Sequence, residues 1–177
     1  LSSKKAQALL AYLALSPERS PSRDKIATLL WSDRGDEQAR ASLRQTLSVL
    51  RRAFPDSESR IVRSSTGGLS VDPGLLKVDV TTFEACIAQG SRADLERAVE
   101  IYKGQFMDGF EIRAEPFEEW LRSERMRLSE LAAKATETVL KEYRDEGNSQ
   151  SALSMAKRLL RLDPLREDIH RTAMNLL

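Results

Sequence analysis

DEQARASLRQTLSVLRRAF, residues 36–54, has the pattern of a long amphipathic helix and decides how the fold is interpreted. With about 3.6 residues per turn, its apolar side chains fall on one stripe: Ala39, Leu43, Leu47, Leu50 and Phe54. The opposite face is rich in Arg, Gln and Ser, and it holds no acidic residue after Glu37. Arg and Gln hydrogen-bond guanine and adenine edges in the major groove, and Arg also binds phosphate. A solvated helix surface is the alternative interpretation.

Two shorter helical patterns precede this stretch. Ser2 or Ser3 is expected to cap a first helix that runs to about Leu15. Its predicted buried stripe is Ala6, Leu9, Leu10, Leu13 and Ala14. Ser22 is expected to cap a second helix that ends near Trp31, before a polar turn at residues 32–35. This order matches a helix-turn-helix, whose second helix enters the major groove, although any three-helix bundle has the same periodicity.

A β-hairpin is predicted directly after the three helices. RIVR (residues 60–63) and LSV (residues 69–71) are β-prone, and SSTGG (residues 64–68) is typical of a turn. A helix-turn-helix followed by a hairpin is a winged helix. Arg60 and Arg63 lie on or near this wing, where they could contact phosphate or enter a minor groove. The alternative is a structural hairpin with solvated arginines.

Residues 1–54 resemble the OmpR-type winged helix of the streptomycete antibiotic regulatory proteins. The resemblance rests on KAQALLAYL (5–13), LLW (29–31), ARASLR (39–44) and LRR (50–52). It implies that residues 36–54 form the recognition helix and that the hairpin is the wing. It further implies that six side chains of this helix face double-stranded DNA: Arg40, Arg44, Gln45, Ser48, Arg51 and Arg52. The small N-terminal sheet that family members usually carry is missing or truncated here.

The rest of the chain is predicted to be a helical repeat domain. Helices are expected from Asp79 to Gly90 and from Asp94 to Lys103, and a long one from Glu115 to Asp145. Two more helices follow on either side of Asp163-Pro164. The spacing of three residues suggests a degenerate tetratricopeptide pair: Tyr143, Ala152 and Pro164. Such repeats leave a concave surface for a peptide or a partner subunit.

Individual side chains of this rear half have predicted environments. Cys86 and Trp120 are expected in the core, and the aromatic residues of the loop at residues 104–110 are expected to be exposed. Three charged residues of the long helix are expected to be ion-paired on its surface: Glu124, Arg125 and Arg127.

A second resemblance covers this half, to the bacterial transcriptional activator domain that follows the winged helix in the same family. It rests on VDVTTF (78–83), YKGQF (102–106), EWL (119–121), ERMRL (124–128) and LDPLRE (162–167). It implies a helical module for self-association as a homodimer and for contact with RNA polymerase subunits. We therefore predict a winged-helix domain at residues 1–75 and an activator domain at residues 76–177 that is truncated at its C-terminal end.

Composition sets broad limits on these predictions. The hydrophobic content of 41% argues against disorder, and the net charge of +1 divides into +4 for residues 1–75 and −3 for residues 76–177. A basic front half suits a polyanionic partner. Cys86 is the only cysteine, so an internal disulfide is impossible, which fits a reducing cytoplasm. No apolar run approaches the length of a membrane span, so no membrane partner is expected.

The sequence offers little for catalysis or metal binding. It contains no Gly-rich phosphate loop and no Ser/His/Asp set, and His170 is the only histidine. No catalytic residue, metal or cofactor is therefore predicted, and the protein is not expected to be an enzyme. The combined prediction is a mainly α, DNA-binding transcriptional regulator of the activator type. The alternative is a protein-protein interaction scaffold without DNA binding.

Overall fold

A computed structural model describes residues 3–16, 20–54, 61–72 and 74–177. This part of the chain is mainly α-helical and contains one two-stranded sheet. In chain order the elements are α1 (Lys4–Leu15), α2 (Arg23–Leu30), α3 (Asp36–Ala53), β1 (Val62–Ser65), β2 (Gly68–Val71), α4 (Asp79–Gln89), α5 (Arg92–Ile101), α6 (Glu115–Asp145), α7 (Ser149–Leu162) and α8 (Glu167–Asn175). The predicted fold class, a winged helix-turn-helix followed by an all-α helical repeat, is confirmed.

The chain forms two compact units. The winged-helix unit consists of Leu1–Val78 and Gly109–Ser123, and the helical unit consists of Asp79–Asp108 and Glu124–Leu177. The first turns of α6 therefore belong to the winged-helix unit and the remainder of α6 to the helical unit. The predicted domain boundary between residues 75 and 76 stays a prediction. It did not include the return of the chain to the winged-helix unit at Gly109–Ser123.

Helix caps set the start of α1 and of α2. The Ser3 hydroxyl accepts a hydrogen bond from the Ala6 N–H, and the Ser22 hydroxyl accepts one from the Lys25 N–H. In α1 the buried residues are Ala6, Ala8, Leu9, Tyr12 and Leu13. The prediction that Leu10 and Ala14 are buried was wrong, since both are half-buried. The reason is that α1 packs against α2, α3 and β2, which moves the buried stripe toward Tyr12.

The helix α3 buries the predicted stripe. Its buried residues are Ala39, Leu43, Thr46, Leu47 and Leu50. The last residue of the predicted stripe, Phe54, is the C-cap and is half-buried. The helix α3 packs against α1 and α2, whose buried residues also belong to the core of the winged-helix unit.

The wing is a tight antiparallel hairpin. Val62 pairs with Val71 at its open end, and Ser65 pairs with Gly68 beside a two-residue turn, Thr66-Gly67. The predicted turn at residues 64–68 was too long, because residues 64, 65 and 68 belong to the strands. Leu69 and Val62 are buried, so the hairpin is attached to the helices by its apolar side.

An aromatic cluster joins α1 to the second segment of the winged-helix unit. The ring of Trp120 meets Tyr12 edge-on at 5.2 Å between centroids, and Phe117 lies 5.2 Å from Trp120 and 6.1 Å from Phe110. Phe117 is fully buried. The prediction of exposed aromatics at residues 104–110 was wrong, since Phe106 and Phe110 are half-buried. Trp120 is also half-buried rather than a core residue.

The helical unit packs α4, α5, α7, α8 and most of α6. Its fully buried large side chains include Phe83, Leu128 and Leu159, and Cys86 is buried as predicted. The helix α5 begins before the predicted Asp94, because the Ser91 hydroxyl accepts a hydrogen bond from the Asp94 N–H and so caps the helix.

Glu124 and Arg127 of α6 form an ion pair, as predicted. Arg127 pairs with Glu124 at 2.7 Å and with Glu84 at 2.6 Å. Arg125 donates hydrogen bonds to the backbone carbonyl oxygens of Phe106 and Met107. It therefore connects the loop before α6 to the helix.

Candidate nucleic-acid interface

The polar face of α3 is open to solvent in the winged-helix unit. All six predicted contact residues of this helix are exposed: Arg40, Arg44, Gln45, Ser48, Arg51 and Arg52. Gln45, Ser48 and Arg52 lie opposite the buried stripe, Arg44 lies beside them, and Arg40 and Arg51 lie at the border of the stripe. Their role toward DNA stays a prediction. Their exposure is the geometric condition that such a role requires.

The charges of α3 are arranged along its dipole. Asp36 and Glu37 occupy the first turn, and Arg51 and Arg52 occupy the last. Acidic side chains at a helix N-terminus and basic side chains at its C-terminus are stabilised by the partial charges there. The Nε of Arg52 also lies 3.4 Å from the Ser48 carbonyl oxygen, so this side chain lies along its own helix. The middle and end of α3 therefore present a basic, amide-containing surface.

A polar cleft opens beside this surface, between the start of α2, the middle of α3 and the turn of the wing. Its volume is about 380 Å³. It is lined by Ser22, Arg23, Asp24, Arg40, Leu43, Arg44, Ser65, Thr66, Gly67 and Gly68. Within the described part of the chain, three guanidinium groups and one carboxylate line this cleft, a balance that attracts an anion more than a cation.

Hydrogen bonds connect the three elements around the cleft. The Nη2 of Arg23 donates to the Ser64 hydroxyl at 2.6 Å, which joins α2 to the wing. The Nε of Arg40 donates to Oδ1 of Asp24 at 2.8 Å, which joins α3 to α2. The hydrogen bond from Asp24 and its negative charge raise the pKa of Arg40 above its usual value, so this guanidinium is charged throughout the physiological range.

The sequence analysis did not identify Arg23 and Asp24 as site residues. The available signal was their position directly after the predicted cap Ser22, which places them in the first turn of a helix beside the recognition helix. The signal was insufficient because periodicity does not show which turn of one helix meets which turn of another.

The wing contributes one predicted residue within the described chain. Arg63 lies on β1, is exposed, and forms an ion pair with Asp72. The other predicted wing residue, Arg60, lies outside the described residues. Any contact of Arg63 with phosphate would compete with this carboxylate.

No group of three or more His, Cys, Asp or Glu side chains is placed to hold a metal ion in the described ranges. His170 is exposed, and its Nε2 lies 2.9 Å from the Pro164 carbonyl oxygen. Among the described helices, none combines the length and the apolar character that crossing a membrane requires.

A winged helix whose α3 has an exposed basic face, followed by a helical unit, is the architecture of a bacterial transcriptional regulator of the activator type. The chain belongs to the bacterial transcriptional activator domain family, whose sequence model matches residues 78–177. This match covers the helical half in which the short motifs of the second resemblance occur.

The whole chain is similar in fold to Mycobacterium tuberculosis EmbR, solved in complex with a low affinity phosphopeptide. The TM-score is 0.70 at 17% sequence identity, and the alignment covers 99% of this chain and 48% of that chain. This chain thus spans about half of the EmbR chain. Comparison with curated proteins gave no match. Together, the family and the fold confirm the resemblance to a streptomycete antibiotic regulatory protein-like regulator.

Proposed function

We propose that the protein binds double-stranded DNA sequence-specifically, with α3 in the major groove, and activates transcription. The observation that carries this proposal is the exposed polar face of α3, which combines Arg, Gln and Ser and has no acid after Glu37. A major groove about 12 Å wide admits one helix with its side chains. The buried stripe keeps α3 attached to its unit while the opposite face stays available.

Residues at different positions along this face of α3 are expected to contact different parts of the DNA. Arg44 and Gln45 lie in the middle of α3, where side chains of a docked helix reach base edges, and both types bind bases in a bidentate manner. Arg52 lies in the last turn, where a contact with phosphate is expected. The wing, through Arg63, is expected to contact the neighbouring backbone or minor groove.

The helical unit is proposed to associate with a second copy of the chain or to recruit RNA polymerase subunits. The match of residues 78–177 to an activator domain supports this assignment. A homodimer would present two winged helices, so two half-sites would be expected in the operator. Sedimentation of the protein with and without operator DNA would show the copy number.

The proposal is tested by selection from a randomised duplex library. We expect the wild-type protein to be retained on duplex DNA at low salt and to enrich a defined sequence. Replacing Arg44 and Gln45 together by Ala should remove the sequence preference. The matched control replaces Arg161 and Gln150 by Ala, which are the same residue types exposed on α7. This control should keep the preference.

Two outcomes would contradict the proposal in different ways. Full sequence preference in the Arg44/Gln45 variant would show that the reading face has been assigned wrongly. Failure of the wild-type protein to bind duplex DNA or heparin at low salt would favour the scaffold alternative, because a basic reading face must bind a polyanion under those conditions.

A further inference from the structure

The contact between Asp24 and Arg40 lies on the face of the winged-helix unit that the proposed function assigns to DNA. The Nε of Arg40 donates to Oδ1 of Asp24 at 2.8 Å, and both side chains remain largely exposed, at 52% and 68%. Among the described residues that line the cleft between α2, α3 and the wing, Asp24 is the only acidic one. A carboxylate in this position opposes any phosphate that approaches the cleft.

The ion pair contributes little to folding. Solvent screens a pair that is this exposed, and ordering two flexible side chains offsets much of the attraction. Arg40 and Arg44 are also one turn apart on α3, and like charges at that spacing repel each other. The carboxylate of Asp24 compensates this repulsion for Arg40. It therefore favours one arrangement of the Arg40 guanidinium in a region where arginines would otherwise separate.

A held guanidinium has a restricted choice of partners. Arginine has five N–H donors in a planar fork, and the hydrogen bond to Asp24 uses the one on Nε. One Nη N–H is parallel to Nε–H on the edge that faces Asp24, whereas the end of the fork, with one N–H from each Nη, points away from that bond and can pair with two acceptors side by side. Guanine presents such a pair, O6 and N7, in the major groove. Phosphate presents acceptors as well, but its charge is repelled by the carboxylate beside the guanidinium.

We propose that Asp24 is a positioning residue that orients Arg40 for a guanine and disfavours its binding to phosphate, so that a residue of α2 determines base specificity. This inference rests on the proposed function, since it assumes that α3 docks in the major groove. It adds a determinant outside the recognition helix. We expect Arg40 to recognise one G·C base pair in each half-site of the operator.

The test compares base preferences selected from the randomised duplex library by four forms of the chain: wild type, Asp24→Ala, Arg40→Ala and the double variant. We expect Asp24→Ala and Arg40→Ala to lose preference for the same G·C pair, by about tenfold each, while the other positions stay selected. The double variant should resemble Arg40→Ala at that pair, because Asp24 acts only through Arg40.

A second measurement, the affinity of each variant for a fixed non-cognate duplex, shows whether Asp24 orients Arg40 or only supports DNA binding in general. Arg40→Ala removes a positive charge and should weaken non-specific binding, whereas Asp24→Ala removes a negative charge and should strengthen it. If Asp24 had a merely structural role, Asp24→Ala would weaken binding to the selected sequence and to the non-cognate duplex alike. Glu119→Ala, which removes an exposed carboxylate on α6, is the control for net charge and should leave the selected sequence unchanged.

Asp24→Asn provides a second variant with nearly the same shape. Its amide oxygen can still accept from Arg40, so it should keep part of the preference while non-specific binding rises. Unchanged base preference in Asp24→Ala, loss spread evenly over all positions, or no base preference lost in Arg40→Ala would each overturn the inference. A wild-type protein that selects no sequence would overturn the proposed function itself, and the two failures are therefore distinguishable.

Discussion

The carbonyl oxygen of Pro21 accepts a hydrogen bond of 3.0 Å from the backbone N–H of Leu69. This bond connects the segment before α2 to β2, so the wing is held to the helix-turn-helix by main-chain atoms. Gly68 lies beside the bond, with φ at +149°, a conformation that L side chains rarely adopt. A Cβ atom at Gly68 would stand 2.2 Å from the Pro21 oxygen. The position of the wing therefore depends on a residue without a side chain.

We predict that Gly68→Ala lowers the free energy of unfolding by about 2 kcal/mol or more, because the new methyl group collides with backbone and the φ angle is strained. Urea unfolding would measure this change. Gly67→Ala is the matched control, since a Cβ there meets nothing closer than the Ser65 hydroxyl at 3.8 Å. Equal stability of Gly68→Ala and the wild type would contradict the close approach.

The start of α6 is predicted to stabilise the winged-helix unit. Phe117 is fully buried beside Trp120, which contacts Tyr12 of α1, and Lys4 and Lys5 donate to backbone carbonyl oxygens at residues 111 and 113. Phe117→Ala should cost about 3–5 kcal/mol through lost burial and a cavity. Hydrogen exchange should show faster exchange of the amides of α1.

The control for this prediction is Phe83→Ala, which removes an equally large buried ring from the helical unit. Its effect on exchange should fall in α4 and its neighbours and leave α1 protected. Faster exchange of α1 in the Phe83 variant but not in the Phe117 variant would reverse the assignment of residues 109–123 to the first unit.

Arg52 is predicted to contribute affinity without sequence information, if α3 binds DNA as proposed. Arg52→Ala should weaken binding to cognate and random duplexes by a similar factor. It should also reduce the slope of log affinity against log salt concentration by about one unit, since one phosphate contact is lost. Arg97→Ala, an exposed arginine of α5, should leave the slope unchanged. A changed base preference in Arg52→Ala would instead identify a base contact.

The contact between Arg166 and Asp168 predicts a pH dependence of stability. Arg166 donates two hydrogen bonds to the Asp168 carboxylate, at 2.9 and 2.7 Å, and these lower the pKa of Asp168 from 3.8 to about 2. A group whose pKa falls on folding stabilises the protein above its unfolded pKa. This contribution is therefore complete above about pH 5 and is lost as the pH falls toward about 2.

Asp168→Asn should accordingly lower Tm near neutral pH, and the difference from the wild type should disappear toward about pH 2. The side chain is exposed, so added salt should reduce the effect. In a chain that already carries Arg166→Met, the same substitution should show a much smaller pH dependence. A Tm difference that persists unchanged in acid would show that the effect does not come from the carboxylate.

The core of the winged helix shows how far periodicity predicts structure. The α3 stripe and both serine caps of α1 and α2 follow from residues close in sequence, because a helix places positions three and four apart on one side. The stripe of α1 was displaced from the prediction because several elements, α2, α3 and β2 among them, contact that helix at once. The local sequence pattern shows which face of a helix is apolar, but the elements that pack against the helix decide which residues of that face are fully buried.

The candidate site divides in the same way. Arg44, Gln45 and the other polar residues of α3 were predictable, since they lie opposite an apolar stripe within one helix. Arg23 and Asp24 were not, because their relevance arises from contacts with the wing and with α3. Those contacts join residues far apart in the sequence, and helical or strand periodicity does not predict such pairs.

The sequence by itself determined the kinds of element, the buried and exposed faces of α3, and the resemblance to a regulator family, because all of these are written in short runs of neighbouring residues. Only the tertiary structure decided that Asp24 holds Arg40 and that residues 109–123 complete the winged-helix unit around Tyr12 and Trp120. The physical reason is that packing brings together residues far apart in the chain. Their pairing depends on the shape and charge of whole surfaces rather than on local preference.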